Sequence, residues 1–290
     1  MKNKDERPEI RKVLIIANLL KPKAEELIQE IEHYLSRQSI ESFIYRYKGT
    51  PQSPIMKNAD LAISLGGDGT VLFSSRVLAS VSIPVLAVNL GDFGFIAEVA
   101  RDEWQEAFEK YRDGRLGVSK RLMLQVSVFR NGKNIGCFKG LNDAVICAAG
   151  ISKLVKLNVE LTGISLGHFR ADGMIIATPT GSTAYSISAG GPILNPEMAA
   201  MIINPICPFT LSNRPIVVPG EEEIHICIEE HQRTQVILTV DGQNAFPLQP
   251  LDVLKIENAA EQACIIRSDK RTFYEVLRSK LNWSGGPNNA

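Results

Sequence analysis

The residues best suited to chemistry are Gly66-Gly67-Asp68-Gly69-Thr70, one carboxylate held among glycines. Glycines in a turn permit positive φ and leave no side chain between the backbone and a ligand. An apolar run, Leu61 to Leu65, enters the turn, and an apolar-periodic run, Val71 to Leu78, leaves it. That spacing predicts strand, turn and helix. A helix N-terminus offers unpaired N–H groups to an anion. A phosphate-binding turn with one built-in acid points to phosphoryl transfer more than to plain nucleotide binding. The competing reading is an ordinary tight turn in which Asp68 caps the helix. The chain has no GxxxxGK[ST] loop, and Leu72 stands where a GxGxxG fingerprint needs its third glycine.

Other stretches also set an acid or amide beside glycine at the end of a strand. Asn142-Asp143 is able to present paired acceptors to sugar hydroxyls, although an Asx turn explains it as well. Arg170-Ala171-Asp172-Gly173 leads into Thr178 to Pro192, with polar hydroxyls at 178, 180, 182, 183, 185, 186 and 188. That density is too high for a packed core and suits ribose, phosphate and amide groups. Tyr185 offers an aromatic face to a base or ring. Asp241-Gly242 reads as a hairpin turn, to which Gln243 adds one hydrogen-bonding group. A ligand rich in hydroxyls and phosphates would use all of these.

The elements that must position these residues fall into two halves. The first hundred or so residues alternate strand and helix: strands at Val13–Ala17, Ser42–Tyr47, Leu61–Leu65 and Ile83–Val88, with helices through Leu27–Leu35 and Trp104–Tyr111. Such alternation predicts an α/β domain with a parallel sheet. Near Gly117 the pattern changes to period two, with a hairpin turn at Asn131-Gly132 and short strands at Leu157–Leu161, Met174–Ala177, Ile224–Ile228, Val236–Val240 and Val253–Ile256. This half reads as a β-rich, sandwich-like domain, interrupted by a short helix within 182–191. The expected division is 1–118, 119–266, and a C-terminal helix with its tail over 267–290.

Composition narrows the class. Lys plus Arg number 32, equal to Asp plus Glu, so no global field attracts nucleic acid or an acidic membrane. The five cysteines are scattered without CxxC spacing, which argues against zinc or a disulfide framework and for a reduced, cytoplasmic setting. Val13 to Leu20 follows acidic residues and is broken by Asn18, so it reads as a buried strand rather than a signal-peptide core. No apolar run approaches the ~20 residues of a membrane span.

Together these stretches resemble the ATP–NAD kinase family in a bacterial-type version. The matching segments are GGDGT (66–70), NLGDFGF (89–95), ND (142–143), DGMIIATPTGSTAYSISAGGP (172–192), CPFTLSNRPIVVP (207–219), VDGQ (240–243) and RTFYEVLRSKLNW (271–283). GGDGT also occurs in lipid kinases and 6-phosphofructokinases; the TPTGSTAYSISAGGP stretch is specific to NAD kinases. The resemblance implies a Rossmann-like N-terminal domain, a β-rich C-terminal domain, a last helix returning to the first domain, and an active site between domains. It implies transfer of the ATP γ-phosphate to the 2′-hydroxyl of the adenosine ribose of NAD, with a divalent ion, Mg or Mn. Asp68 would be the proton acceptor, and Gly66, Gly67, Gly69, Thr70 and Arg76 would meet the phosphates. Asp68, Gly69, Asn142, Asp143, Lys153, Arg170, Asp172, Thr183, Ala184, Tyr185, Ser186, Ile187, Ser188 and Gln243 would line the NAD site. A homodimer or homotetramer is implied, with no nucleic-acid or membrane partner. Two positions depart from the family pattern: Phe209 replaces a common His, and Asp143 a common Glu. The alternatives are a lipid or sugar kinase sharing the GGDGT turn, and a non-catalytic dinucleotide sensor.

Overall fold

The computed structural model describes residues 9–51, 58–91, 94–150, 154–210 and 212–283. They fall into two compact units. The first runs to Lys120 and resumes at Ala263; the second is Arg121–Gln262.

The first unit begins with β1 (Lys12–Asn18), α1 (Ala24–Arg37), β2 (Glu41–Tyr47), β3 (Leu61–Gly66), α2 (Asp68–Leu78) and β4 (Val85–Asn89). Then follow the two-residue β5 (Val99–Ala100), α3 (Trp104–Arg112) and β6 (Val118–Arg121). Strands β1, β3 and β4 are built mainly of apolar residues, with Val13–Ala17 of β1 and all of β3 and β4 buried on both faces. Such runs belong in a parallel sheet covered by helices on both sides. α1 turns Leu27, Ile28, Ile31 and Leu35 inward, one stripe at helical spacing.

The second unit contains β7 (Leu124–Arg130), β8 (Lys133–Gly140), β9 (Asp143–Ala148), β10 (Val155–Leu161), β11 (Ile164–Ala171) and β12 (Gly173–Ala177). A short α3-to-β-strand pattern does not recur here; instead one turn of 3₁₀ helix and α4 (Tyr185–Ser188) precede β13 (Ala200–Ile206), β14 (Ile216–Pro219), β15 (Ile224–Ile228), β16 (Val236–Val240), β17 (Asn244–Leu248) and β18 (Val253–Asn258). They build two six-stranded sheets, ordered β11-β10-β15-β18-β7-β8 and β14-β13-β12-β9-β16-β17. The alternate residues Leu124, Val126 and Val128 of one sheet and Ala144 and Ile146 of the other share a single core. Asn131 and Gly132 close the β7–β8 hairpin, both at positive φ (51° and 73°), the backbone that a tight two-residue hairpin turn requires.

The chain then re-enters the first unit with a strand, β19 (Ala263–Ile266), before α5 (Phe273–Leu281). Its Ile265 pairs in parallel with Val85 of β4, and the completed sheet runs β2-β1-β3-β4-β19-β6 with β5 beside β4. Thr272 and Glu275 form a capping box at the start of α5. Next to it the Arg271 guanidinium holds the Glu103 carboxylate at 2.6 and 3.0 Å.

Candidate functional site

In the first unit the glycine turn lies between β3 and α2. Gly66 ends the strand, Gly67 is the N-cap with extended backbone (φ −133°), and Asp68 is the first helical residue. Asp68 does not cap its own helix. Its carboxylate reaches across to the segment after β4: Oδ2 accepts from the Phe95 N–H at 2.9 Å, and Oδ1 from Ile96 and Ala97 at 3.1 and 3.0 Å. Among the described residues these three amides are its hydrogen-bond donors, so one of its roughly four lone-pair positions remains for another proton.

Sterics explain the glycines around it. A Cβ on Gly94 would lie 1.9 Å from Asp68 Oδ1, and one on Gly66 2.0 Å from Thr70 Oγ1. The Tyr47 hydroxyl donates to that same Thr70 oxygen at 2.9 Å. Gly67 differs: among the described residues a Cβ there would meet nothing within 4 Å. Its bare backbone is not required by the protein's own packing and stands open to a ligand. Asn89, 4 % exposed at the end of β4, accepts from the Gly91 N–H through Oδ1. Its Nδ2 is buried without a hydrogen-bond partner among the described residues, a donor suited to an anion. Arg76 sits in the last turn of α2, about 12 Å along the axis from Asp68 by helical rise.

In the second unit, register collects the other sequence-predicted residues around β12. Asp143 pairs with Ala177, and the Thr178 N–H donates to the Asn142 carbonyl at 2.8 Å. At the other end of β12, Gly173 lies between Cys147 and Ile206, and the Asp172 N–H donates to the Ile206 carbonyl. Asp143 and Asp172 therefore mark the two ends of one strand, about 17 Å apart by strand rise. α4 packs on that strand and carries Tyr185, 48 % exposed. Burial raises the Tyr185 pKa, and the charges of Cys147, Cys207, Asp172 and Asp143 raise it further. Asp143 itself is 5 % exposed. Its pKa is pushed up to about 7, first by burial and then by the charge of Asp241.

The hydroxyl-rich stretch behaves differently from the ligand-facing surface that its sequence predicts. Thr178, Thr180, Ser182, Thr183 and Ser186 are all buried. Thr178 Oγ1 donates to the Leu141 carbonyl, Ser182 Oγ to that of Pro179, and Thr183 Oγ1 to that of Thr180. Small hydroxyl residues satisfy their own turn backbone, so they pack densely without needing solvent or ligand. What faces outward is Tyr185 and Ser188, with Ala184 and Ile187 half-buried. The Thr180 hydroxyl and Asn142 Oδ1 are buried without hydrogen-bond partners among the described residues, two polar atoms that a bound sugar or base would satisfy.

Arg170, exposed on β11, sets its guanidinium over the Phe209 ring at 4.8 Å, and the Phe209 N–H donates to the Arg170 carbonyl. Gln243 is half-buried just after β16. Lys153 lies outside the described residues.

Sequence reasoning passed over three positioning residues. Gly94 makes room for the Asp68 carboxylate. Asn204, fully buried on β13, donates through Nδ2 to the carbonyl and Oγ of Ser186 at 3.0 and 3.2 Å and so anchors α4. Asp241 accepts from the N–H groups of Leu141, Asn142 and Asp143. Gly94 and Asp241 each lie in a segment that the sequence singles out, NLGDFGF and VDGQ, but neither segment shows the long-range contact; Asn204 has no such signal.

Residues 47–116 match the family model described as the ATP-NAD kinase N-terminal domain, and residues 141–268 the one described as the ATP-NAD kinase C-terminal domain. A protein named NAD kinase from Treponema denticola is 45% identical over 277 residues, 95% of this chain and 98% of its own. An NAD kinase from Moorella thermoacetica is 38% identical over 95% of this chain and 91% of its own. Among solved structures, yeast NADH kinase complexed with NADH superposes with a TM-score of 0.81 at 26% identity, covering 97% of this chain and 90% of that one.

Proposed function

The chain belongs to the ATP–NAD kinase family, and from this premise we propose that it transfers the γ-phosphate of ATP to the 2′-hydroxyl of the adenosine ribose of NAD. The 2′-oxygen forms a bond to the γ-phosphorus, the bond to the β-phosphate oxygen breaks, and ADP and NADP leave. The hydroxyl proton goes to Asp68.

The observation that carries this reading is the Asp68 carboxylate itself. Three amide hydrogen bonds aim it and leave it one lone pair, beside a helix start whose Gly67 backbone is bare. A ribose hydroxyl is a poor nucleophile near neutral pH, and a positioned carboxylate raises the rate by taking its proton. The helix N-terminus and Asn89 Nδ2 suit the phosphates. Asn142 and Asp143 suit the ribose, Tyr185 a ring, and Arg170 with Asp172 the far end of an elongated dinucleotide. Among the described residues no three His, Cys, Asp or Glu side chains are grouped to hold a metal ion. A divalent ion would enter with the triphosphate, as Mg–ATP or Mn–ATP. Bound to the phosphates, such an ion neutralises their charge.

The same reading places the protein in the cytoplasm, supplying NADP, and as a homodimer or homotetramer. No helix among the described residues is long and apolar enough to cross a membrane. Ile216 and Val217 are exposed on β14 at a sheet edge, which supports self-association.

The test is incubation of the pure protein with Mg–ATP and NAD, reading NADP with an NADP-specific dehydrogenase. NADP formation is expected. No NADP, with phosphorylated lipid or sugar in parallel reactions, overturns the reading. A second check is Tyr185→Ala, which is expected to raise the KM for NAD more than that for ATP.

A further inference from the structure

Asp241 belongs, by its local sequence, to a hairpin turn, and nothing in that turn requires an acid. Its backbone is left-handed, φ 53°, a conformation open to Asp, Asn or Gly. Its carboxylate nevertheless does long-range work. Oδ2 accepts from the Leu141 N–H at 2.9 Å, and Oδ1 from the Asn142 N–H at 2.7 Å and the Asp143 N–H at 3.3 Å. The Asp241 N–H donates back to the Asp143 carbonyl at 3.0 Å. The side chain is 8 % exposed. The opposite side of the same turn is held by Thr178 and by Gly181, where a Cβ would lie 2.0 Å from the Asn142 carbonyl oxygen.

We propose that Asp241 is the positioning residue that sets Asn142 and Asp143 to receive the adenosine ribose of the dinucleotide. This rests on the functional reading above. The turn's amides point at Asp241, so its backbone orientation is fixed before any ligand arrives, which is the pre-organisation a sugar site needs.

The charge of Asp241 has a second consequence. Asp143 is buried beside it, and its pKa is pushed up to about 7, first by burial and then by the charge of Asp241. The other elements around Asp143 bring few titratable groups. β12 places Ala177 opposite it, β16 places Val240 opposite the adjacent Ala144, and α4 contributes Tyr185, whose hydroxyl feels the Asp143 charge. Removing the charge of Asp241 therefore moves Asp143 part of the way toward ordinary carboxylate behaviour, with the effect of burial left in place.

Two full-length variants test this. Asp241→Asn keeps the shape and one acceptor oxygen but turns an amide toward the Leu141 N–H and removes the charge. Gly140→Ala keeps the charge but brings a Cβ to 2.9 Å from Asp241 Oδ1 and 2.7 Å from Val240 Cγ1. Steady-state kinetics with Mg–ATP and NAD are read from pH 5.5 to 8.5. For Asp241→Asn the expected result is a KM for NAD raised roughly tenfold, with kcat and the KM for ATP held within about threefold. The inflection of kcat/KM for NAD near neutrality moves to lower pH by about one unit. For Gly140→Ala the KM for NAD rises while the inflection stays. Unchanged KM for NAD in both variants overturns the proposal, as does a fall in kcat alone in Asp241→Asn. Should Asp241→Asn not fold, Gly140→Ala decides by its KM for NAD. If the wild-type chain makes no NADP the functional reading fails, and calorimetric titration of NAD into wild type and variants then decides the positioning role, equal affinities overturning it.

Discussion

The carboxylate of Asp68 fills the space that a side chain on Gly94 would need: a Cβ there would lie 1.9 Å from Oδ1. Acid and glycine, 26 positions apart in the chain, are two halves of one device. Asp241 repeats it in the other unit, again with one carboxylate gathering the N–H groups of three successive residues. Each acid fixes a loop that local hydrogen bonding alone leaves undetermined, at the end of a buried strand.

Asp68→Asn is expected to lower kcat by roughly 10²- to 10⁴-fold, the usual contribution of a general base. Gly94→Ala should move kcat in the same direction without touching the acid, and cost about 1–3 kcal/mol in unfolding free energy from overpacking. Single-turnover rates and thermal melts check both. Near-normal kcat in Asp68→Asn would make this carboxylate a strut for residues 95–97 and nothing more.

The adjacent glycines should separate fold from function. A Cβ on Gly66 collides with Thr70 at 2.0 Å, whereas one on Gly67 meets nothing within 4 Å among the described residues. Gly66→Ala is expected to lose about 1–3 kcal/mol of stability, with activity falling alongside. Gly67→Ala should melt within about 0.5 kcal/mol of wild type while the KM for ATP rises, because on the proposed reading a methyl group would stand where the phosphate approaches the backbone. Equal KM values for ATP in wild type and Gly67→Ala would remove the phosphate from that turn.

Stability should depend on pH through Asp143. Its folded pKa, about 7, lies above the ordinary 3.8, so between those values the native state holds the proton more tightly than the unfolded chain. Native stability from this group is therefore greatest on the acid side and declines as pH rises toward 7 and beyond. Asp143→Asn is expected to remove about 2 kcal/mol from the difference in unfolding free energy between pH 5.5 and 8. Urea denaturation at the two pH values measures it; an unchanged difference would show that Asp143 is ionised in the fold throughout that range.

How much of this was legible in the sequence depends on the range of the interaction. Ile224–Ile228 and Val236–Val240 form strands over just those residues, because one face is buried and alternation reports it. β13 is buried along its whole length and carries Pro205, so it shows no period and a residue that argues against a strand. The hydroxyls of 178–186 were visible as a cluster, but their inward direction follows from turn hydrogen bonds and packing that composition does not encode. Asp241 was hidden most completely: its partners lie 98 to 100 positions earlier, and Asp-Gly is already explained by its turn. Asp68 was legible as an acid, yet not as one braced by residues 95–97.

Phe209 occupies a position where the family resemblance leads one to expect His, and its ring lies 4.8 Å from the Arg170 guanidinium carbon. The ring is 66 % exposed, so removing it should leave stability unchanged. Its effect is on Arg170, whose guanidinium lies over the ring and, on the proposed reading, meets a dinucleotide phosphate. An exposed pair of this kind is worth about 0.5–1 kcal/mol, so Phe209→Ala is expected to raise the KM for NAD roughly two- to fivefold with kcat unaltered. Phe209→His adds a discriminating readout. A neutral imidazole still offers a ring face to the cation, but below its ordinary pKa of about 6.5 it repels the guanidinium. That variant should therefore match wild type at pH 8 and the alanine variant at pH 5.5, once both are normalised to wild type at the same pH. A Phe209→Ala enzyme with unchanged KM for NAD, together with a pH-insensitive Phe209→His, would disconnect the ring from Arg170 and leave that arginine to act unaided.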